Sequence, residues 1–344
     1  MEAMKMLYPA LKAGMWGYID SVGNFSIQAR FDRAEEFHEG FSLVVLNDEW
    51  CYIDQKGSPV FRTGFTNQPR EFSGPVLYDK DGWIMHRSMR HFYEGRAAVW
   101  RGNSGYGYID SGGIFVISPQ FSEVDDFSEG VAAAAVPEER NCGNWGYIDR
   151  EGNWIISPQF YYARHFCEGL APVRWKESIL LGYIDRIGKK IIEPSFDWAW
   201  SFSEGLAQVE VDSNHGYIDQ SGRIVIFPEF EDARRFRNGF AAVRLGKQWG
   251  FIDAEGRLAT EPQFDAVGEF SEGLAQVFMK NKDTDAYPYY PFKVGYIDTH
   301  GNVVIPIRYE WSTSFHAGLA VVREAIWGPS IGIDRTGQCL WKQA

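Results

Sequence analysis

Apolar residues recur along this chain in short alternating runs and not with a helical period. In Trp249-Gly250-Phe251-Ile252-Asp253, alternation sets Gly and Ile on one face and Trp, Phe and Asp on the other, the signature of a β-strand. The stretch around Gly216-Tyr217-Ile218-Asp219 shows the full phrase. Leu206-Ala207-Gln208-Val209 leads in, Gly222 follows the Asp by three, and Pro228, Phe230, Phe236 and Gly239 complete it. Asp20, Asp54, Asp79, Asp110, Asp149, Asp185, Asp219, Asp253, Asp298 and Asp334 each precede a Gly by three, which gives about ten units with a basic period near 34 residues. Self-similarity at such a period marks a repeat architecture.

Each column of the phrase has a physical reading. Asp at the first corner of a turn accepts from the backbone N–H two residues on, and Gly three later fits the last turn position, so Y-I-D-x-x-G is a strand entering a hairpin. The Ile position is nearly invariant, whereas the Trp position accepts Tyr106, Leu181, His215 and Val294. That asymmetry predicts the Ile face as the buried one. The Gly beside it makes room for a close neighbour, such as the ring of an F-S-E-G Phe. In F-S-E-G the Gly supplies a positive-φ turn before the L-A-x-V strand. A unit is then three or four short antiparallel strands joined by tight turns, and stacking on neighbours completes its core. The predicted fold is all-β: tandem antiparallel β-hairpin repeats stacked as an open or superhelical β array, with a β-propeller-like ring as the alternative. Residues 1–344 read as a single array, with divergent units at 54–101 and an insertion at 279–294.

The recurrent W-G-Y-I-D-x-x-G…P-x-F…F-S-E-G-L-A-x-V resembles the WG (KWG) repeat of bacterial proteins, with the dipeptide itself at Trp16-Gly17, Trp145-Gly146 and Trp249-Gly250. The resemblance covers nearly the whole chain. It implies an interaction module, and some members resemble cytoplasmic immunity proteins that neutralise a toxin.

Composition narrows the functional classes. A formal charge of −12 disfavours a nucleic-acid partner, which needs a basic surface. No apolar window is long enough for a membrane span, and residues 1–12 lack the apolar core of a secretory signal, so the expectation is a cytoplasmic protein. Cys51, Cys142, Cys167 and Cys339 lie in different repeats without metal-ligand spacing, and neither Cys142 nor Cys167 has a His and Asn context for a nucleophile. Ten equivalent Asp and six equivalent Glu (Glu39, Glu94, Glu129, Glu168, Glu204, Glu272) read as turn and cap residues, since an active site needs one asymmetric constellation. No enzymatic activity, cofactor or metal is expected.

Function in a repeat protein occupies positions that vary between units. Three places qualify. The link from Met279 to Val294 carries Tyr287, Tyr289, Tyr290 and Phe292 among prolines that would present the rings at low entropy cost, or it covers an apolar edge. Two residues after the aromatic that closes the apolar run, the units hold Arg33, Glu123, Tyr162, Trp198, Asp232, Ala266 and Trp311. Tyr162 and Trp198 fall in adjacent units, and Trp200 extends them into an anchor patch or into packing between repeats. The compressed region 61–101 gathers basic residues, among them Arg87 and Arg90, either as a surface for an acidic partner or as a degenerate cap. The reading is a non-enzymatic scaffold that binds another protein through these residues, in its sharper form a basic toxin or effector. Carbohydrate or cell-wall binding through aromatic columns, and an enzyme acting through the Arg-rich region, are the alternatives.

Overall fold

The computed structural model describes residues 6–66, 77–78, 84–85, 90–137, 143–281, 292–325 and 328–343. The chain divides into two compact units, Met1–Tyr18 with Phe25–Pro194, and Ile19–Asn24 with Ser195–Ala344. The described residues form antiparallel sheets whose strands follow chain order, so the all-β class and the tandem antiparallel organisation stand.

One repeat of the second unit illustrates the rest. Asp232–Ala233, Phe240–Leu245, Gln248–Asp253 and Leu258–Phe264 form a four-stranded sheet in that order. Its first hairpin is a two-residue turn in which Asn238 (φ 54°) and Gly239 (φ 82°) both take positive φ, and Arg237 bridges Phe240. That is the primed turn whose twist matches its strands. The turn before the last strand is built by Asp253, whose Oδ1 accepts from the backbone N–H of Glu255 at 3.1 Å and of Arg257 at 2.9 Å. The same pair of bonds, to the residues two and four on, recurs in every D-x-x-G turn among the described residues, as at Asp20 and Asp334. The Asp column therefore has the structural role its spacing predicts.

Two sequence expectations need correction. The face of W-G-Y-I-D opposite Ile is buried as deeply as the Ile face: Tyr217 and Tyr296 are fully buried, and so are Ile218 and Ile297. The strand is sandwiched, because the aromatic packs toward the following sheet while the Ile meets the preceding one. Tyr217 lies edge-on to Phe236 at 4.9 Å, whereas Ile252 joins the cluster formed by Tyr217, Ile226, Phe230 and Phe236. Burial at the Trp position runs from half-buried at Trp16, Tyr106 and His215 to complete at Leu181 and Val294, so variation there does not report which face is covered.

The second correction concerns the Gly of W-G. The atoms nearest to it at Gly250 are backbone atoms of Thr260, Glu261 and Pro262 and not those of a Phe ring. Between Trp249 and Phe251 the partner strand bulges, so that Trp249 faces Phe264 while Phe251 faces Thr260. A Cβ on Gly250 would run into the Thr260 carbonyl oxygen and lie 2.8 Å from the Pro262 nitrogen. Pro is tolerated in the bulge because no ladder N–H is needed there. W-G and P-x-F are thus two halves of one feature, a bulge folded over a bare Cα.

Successive repeats dock through a second glycine. A Cβ on Gly256 would sit 3.3 Å from the side chain of Ile226 in the preceding repeat, and Gly337 repeats the contact on Ile305 at 3.2 Å. Within the second unit a Cβ on Gly23 would lie 2.6 Å from the ring of Trp341, so the turn 20–24 seats on the strand Cys339–Lys342.

Candidate functional site

The polar motif residues are spent on the scaffold. The Glu of F-S-E-G reaches the next repeat and does not cap its own turn. Glu204 accepts from the backbone N–H groups of Asn238 and Gly239 at 2.7 and 2.8 Å, Glu39 from those of Glu94 and Gly95 at 2.8 Å each, and Glu272 from Gly318 at 2.8 Å. The positive-φ pair aims two successive donors at one carboxylate, which clasps repeat to repeat. Glu204→Ala is expected to cost about 1–2 kcal/mol, the worth of charge-assisted bonds at a surface. Urea unfolding would check this, and an unchanged midpoint would remove the clasp from the account. The Tyr hydroxyls are used as well: Tyr18, Tyr108, Tyr147, Tyr217 and Tyr296 each donate to the carbonyl 17 residues on, at 2.6–2.9 Å.

What varies lies on the segment between the apolar-run aromatic and the F-S-E-G Phe. In the first unit this segment builds an ionic cluster. Arg90 Nη1 donates to Asp125 Oδ1 at 2.9 Å and to Asp126 Oδ2 at 3.3 Å, and Asp125 Oδ2 accepts from the backbone N–H of His165 and contacts its Nδ1, both at 3.0 Å. Burial alone would raise the Asp125 carboxyl, but the His165 bond and the Arg90 charge outweigh it and hold it well below the usual range. Burial likewise opposes the His165 imidazolium, and hydrogen bonds to Asp125 and Cys167 overcome it and raise its pKa to about 10. Asp126, where burial wins over Arg90, is pushed up to about 6. Cys167 thus has a His beside it, one of the two residue types that a His and Asn context for a nucleophile calls for. His165 borders it, two residues away along a bent segment whose geometry the strand pattern does not encode. Nearby, His91 Nε2 lies 3.2 Å from Glu35 Oε2 and stacks on His38 at 4.1 Å.

Arg90, expected as a surface cation, is instead held between two carboxylates. Arg87, Tyr287, Tyr289 and Tyr290 lie outside the described residues; Phe292 is half-buried and pairs with Lys280 at the base of the link. Tyr162 is half-buried in the first unit, its hydroxyl accepting from Arg164 Nε at 2.6 Å and its ring 6.4 Å from Trp145.

In the second unit Trp198 and Trp200 come together. Trp198 faces Glu210 across the strand pair, and its ring meets Trp200 edge-on at 6.2 Å. Trp200 packs against His215 at 5.5 Å, and the His215 Nδ1 is 3.0 Å from Nε2 of the buried Gln208. Two half-buried indoles and an imidazole thus form one aromatic patch.

The repeat pattern described as "WG containing repeat" matches residues 16–50, 106–136, 145–176, 182–214, 216–249, 249–282 and 295–324, more than half of the chain. The chain belongs to the WG-containing repeat family. The unmatched stretch 51–105 contains the divergent WG units 54–101. A crystal structure of "the eukaryotic initiation factor" superposes with a TM-score of 0.59 at 9% identity, covering 98% of this chain and 96% of that one, a likeness of fold alone. The computationally designed Ika8 protein (TM-score 0.48, 10% identity, 90% of this chain and 94% of that one) and BamB from Moraxella catarrhalis (0.44, 8%, 79% and 93%) are similar more distantly. No curated protein matches this WG-repeat chain.

Proposed function

We propose that this WG-repeat protein is a non-enzymatic scaffold that binds another protein, with Trp198 and Trp200 as its anchors. The carrying observation is that two half-buried indoles stand together on the segment that differs from repeat to repeat, beside motif carboxylates committed to backbone donors. Large aromatics partly shielded from water are the side chains that dominate binding energy when a partner covers them. The net charge of −12 favours a basic partner and speeds its approach. In its sharper form the partner is a basic toxin or effector neutralised in the cytoplasm, a reading that draws on family resemblance and charge.

The Cys167, His165 and Asp125 side chains follow the order of a nucleophilic array, but we read them as structural. Cys167 occupies the Ser position of F-S-E-G, where Ser128 and Ser271 donate to the Phe carbonyl of the next repeat at 2.7 Å, and Asp125 is already committed to Arg90.

Capture from a lysate of the source cells tests the proposal. The intact chain is expected to retain one protein in stoichiometric amount, released by salt and lost from the Trp198→Ala, Trp200→Ala double variant while the melting temperature stays within a few degrees. Equal retention by both proteins would move the site elsewhere.

A further inference from the structure

An F-S-E-G turn spends two side chains on the turn of the next repeat. Ser203 Oγ donates to the Phe236 carbonyl at 2.8 Å, and Glu204 beside it gives one carboxylate oxygen to the Asn238 N–H and the other to the Gly239 N–H. Ser271 and Glu272 repeat the pair on the Phe315 carbonyl at 2.7 Å and the Gly318 N–H at 2.8 Å. The copy between them departs from this pattern, because its Ser and Glu positions are Arg237 and Asn238. Asn238 Nδ2 takes over the serine's bond and donates to the Phe270 carbonyl at 2.9 Å, while Arg237 turns to Glu269, its Nε 3.4 Å from the carboxylate. The carboxylate that the pattern sends forward is missing from this copy.

The turn that would receive it is built like the others. Glu272 (φ 52°) and Gly273 (φ 82°) match Asn238 (54°) and Gly239 (82°), a conformation that aims two successive backbone N–H groups at one point and makes a nest for an oxyanion. Equivalent donors at Glu94 and Gly95, Gly130, Gly169, Asn238 and Gly239, and Gly318 all hold a carboxylate. Among the described residues no protein group accepts from the N–H of Glu272 or of Gly273. Gly273 is exposed, and a Cβ on it would meet nothing within 4 Å, so the donors are open to a ligand from solvent. The charges around the turn do not repel an anion: Arg235 and Arg237 share Glu269, the Glu272 carboxylate is bonded to Gly318, and Arg335 Nη1 donates to the Glu272 carbonyl at 3.4 Å.

We propose that the Glu272–Gly273 turn binds a carboxylate from outside the chain, an acidic side chain of the protein partner, seated as the Glu204 carboxylate is seated on Asn238 and Gly239. The carboxylate site stands on the turn geometry; that a partner supplies the group rests on the protein-binding reading above. One acidic residue in an otherwise basic partner surface would fix its register on the scaffold.

The test is a titration of the full-length, 15N-glycine-labelled protein at constant ionic strength with Nα-acetyl-glutamic acid α-amide, whose only charge is the side-chain carboxylate. The Gly273 N–H signal is identified by its loss in Gly273→Asn, a residue that tolerates positive φ. Saturable downfield movement of that signal is expected while the Gly239 N–H, held by Glu204, stays still. The uncharged Nα-acetyl-glutamine amide should bind at least about tenfold more weakly. Asn238→Glu restores the carboxylate from within and should weaken the response at least about tenfold, whereas Asn238→Ala, which adds no carboxylate, should keep it. No saturable shift at Gly273, equal movement at Gly239, or an undiminished response in Asn238→Glu would each overturn the proposal. Tighter binding of Nα-acetyl-glycine, which presents a chain-end carboxylate, would overturn the assignment to an acidic side chain. If a partner captured through Trp198 and Trp200 is retained equally by Asn238→Glu, the carboxylate inference fails and the binding function stands; if no protein is captured while Gly273 still responds, the site stands and the protein-binding reading fails.

Discussion

Phe270→Ala should lower the stability of the protein by about 3–5 kcal/mol, the range for removing a fully packed aromatic ring. Phe270 is buried between Phe251 at 4.8 Å and Phe240 at 5.0 Å, so truncation opens a void bordered by two other rings and by Val267 and Val277. Ala242 and Phe251 pair within one four-stranded sheet and Phe270 lies on the next, so the loss is felt on both sides of a joint between repeats. Denaturant unfolding of Phe270→Ala against the parent measures the effect. A loss below about 1 kcal/mol would mean that the repeats can close around the void, contrary to the dense packing described. Phe270→Leu, which keeps most of the volume, should recover more than half of the loss.

The second large effect lies in the ionic cluster of the first unit. Arg90→Met removes the cation shared by Asp125 and Asp126 and should cost roughly 2–3 kcal/mol, less than the ~3–5 kcal/mol of a fully buried pair because Arg90 keeps part of its side chain in water. The dependence on pH separates the members. Asp125, held below its unfolded pKa of about 4, contributes stability that is complete above that value and drains away as acid protonates it. His165, raised to about 10, contributes fully below its unfolded value of about 6.5 and loses that contribution as pH climbs through 10. Asp126 works the other way: with its pKa raised to about 6, its ionised form costs stability at neutral pH, and the cost fades as pH falls from 6 toward 4. The stability difference between the parent and His165→Gln should therefore be large at pH 6 and shrink above pH 10. A difference that stays constant across that range would show that His165 acts by packing and not by charge.

The repeat, its turns and its aromatic core were legible because they rest on local rules. Asp253 announces its turn through spacing alone, and the Gly of F-S-E-G announces positive φ, although nothing in the sequence signals that Glu204 before the Gly adopts it too. The clasp from Glu204 to Asn238 spans 34 residues and appears only when one repeat is laid on the next. The same holds for Asp125 and His165, 40 residues apart, which meet on bent segments where strand alternation carries no information. Trp198 and Trp200 could be singled out because large rings stood where other repeats are polar. That Glu210 faces Trp198 needed the register between strands, which spacing along the chain does not give.

The seat of Gly23 on Trp341 has a consequence for biogenesis. The turn 20–24 leaves the ribosome about 320 residues before the strand on which it rests. Until then the turn has no native surface to meet, and the contact that finally forms carries the cost of closing a loop of about 320 residues. That seam cannot become stable until both of its segments have been made. For the same reason it is where the finished protein should open first, releasing a hairpin while the repeats between stay folded.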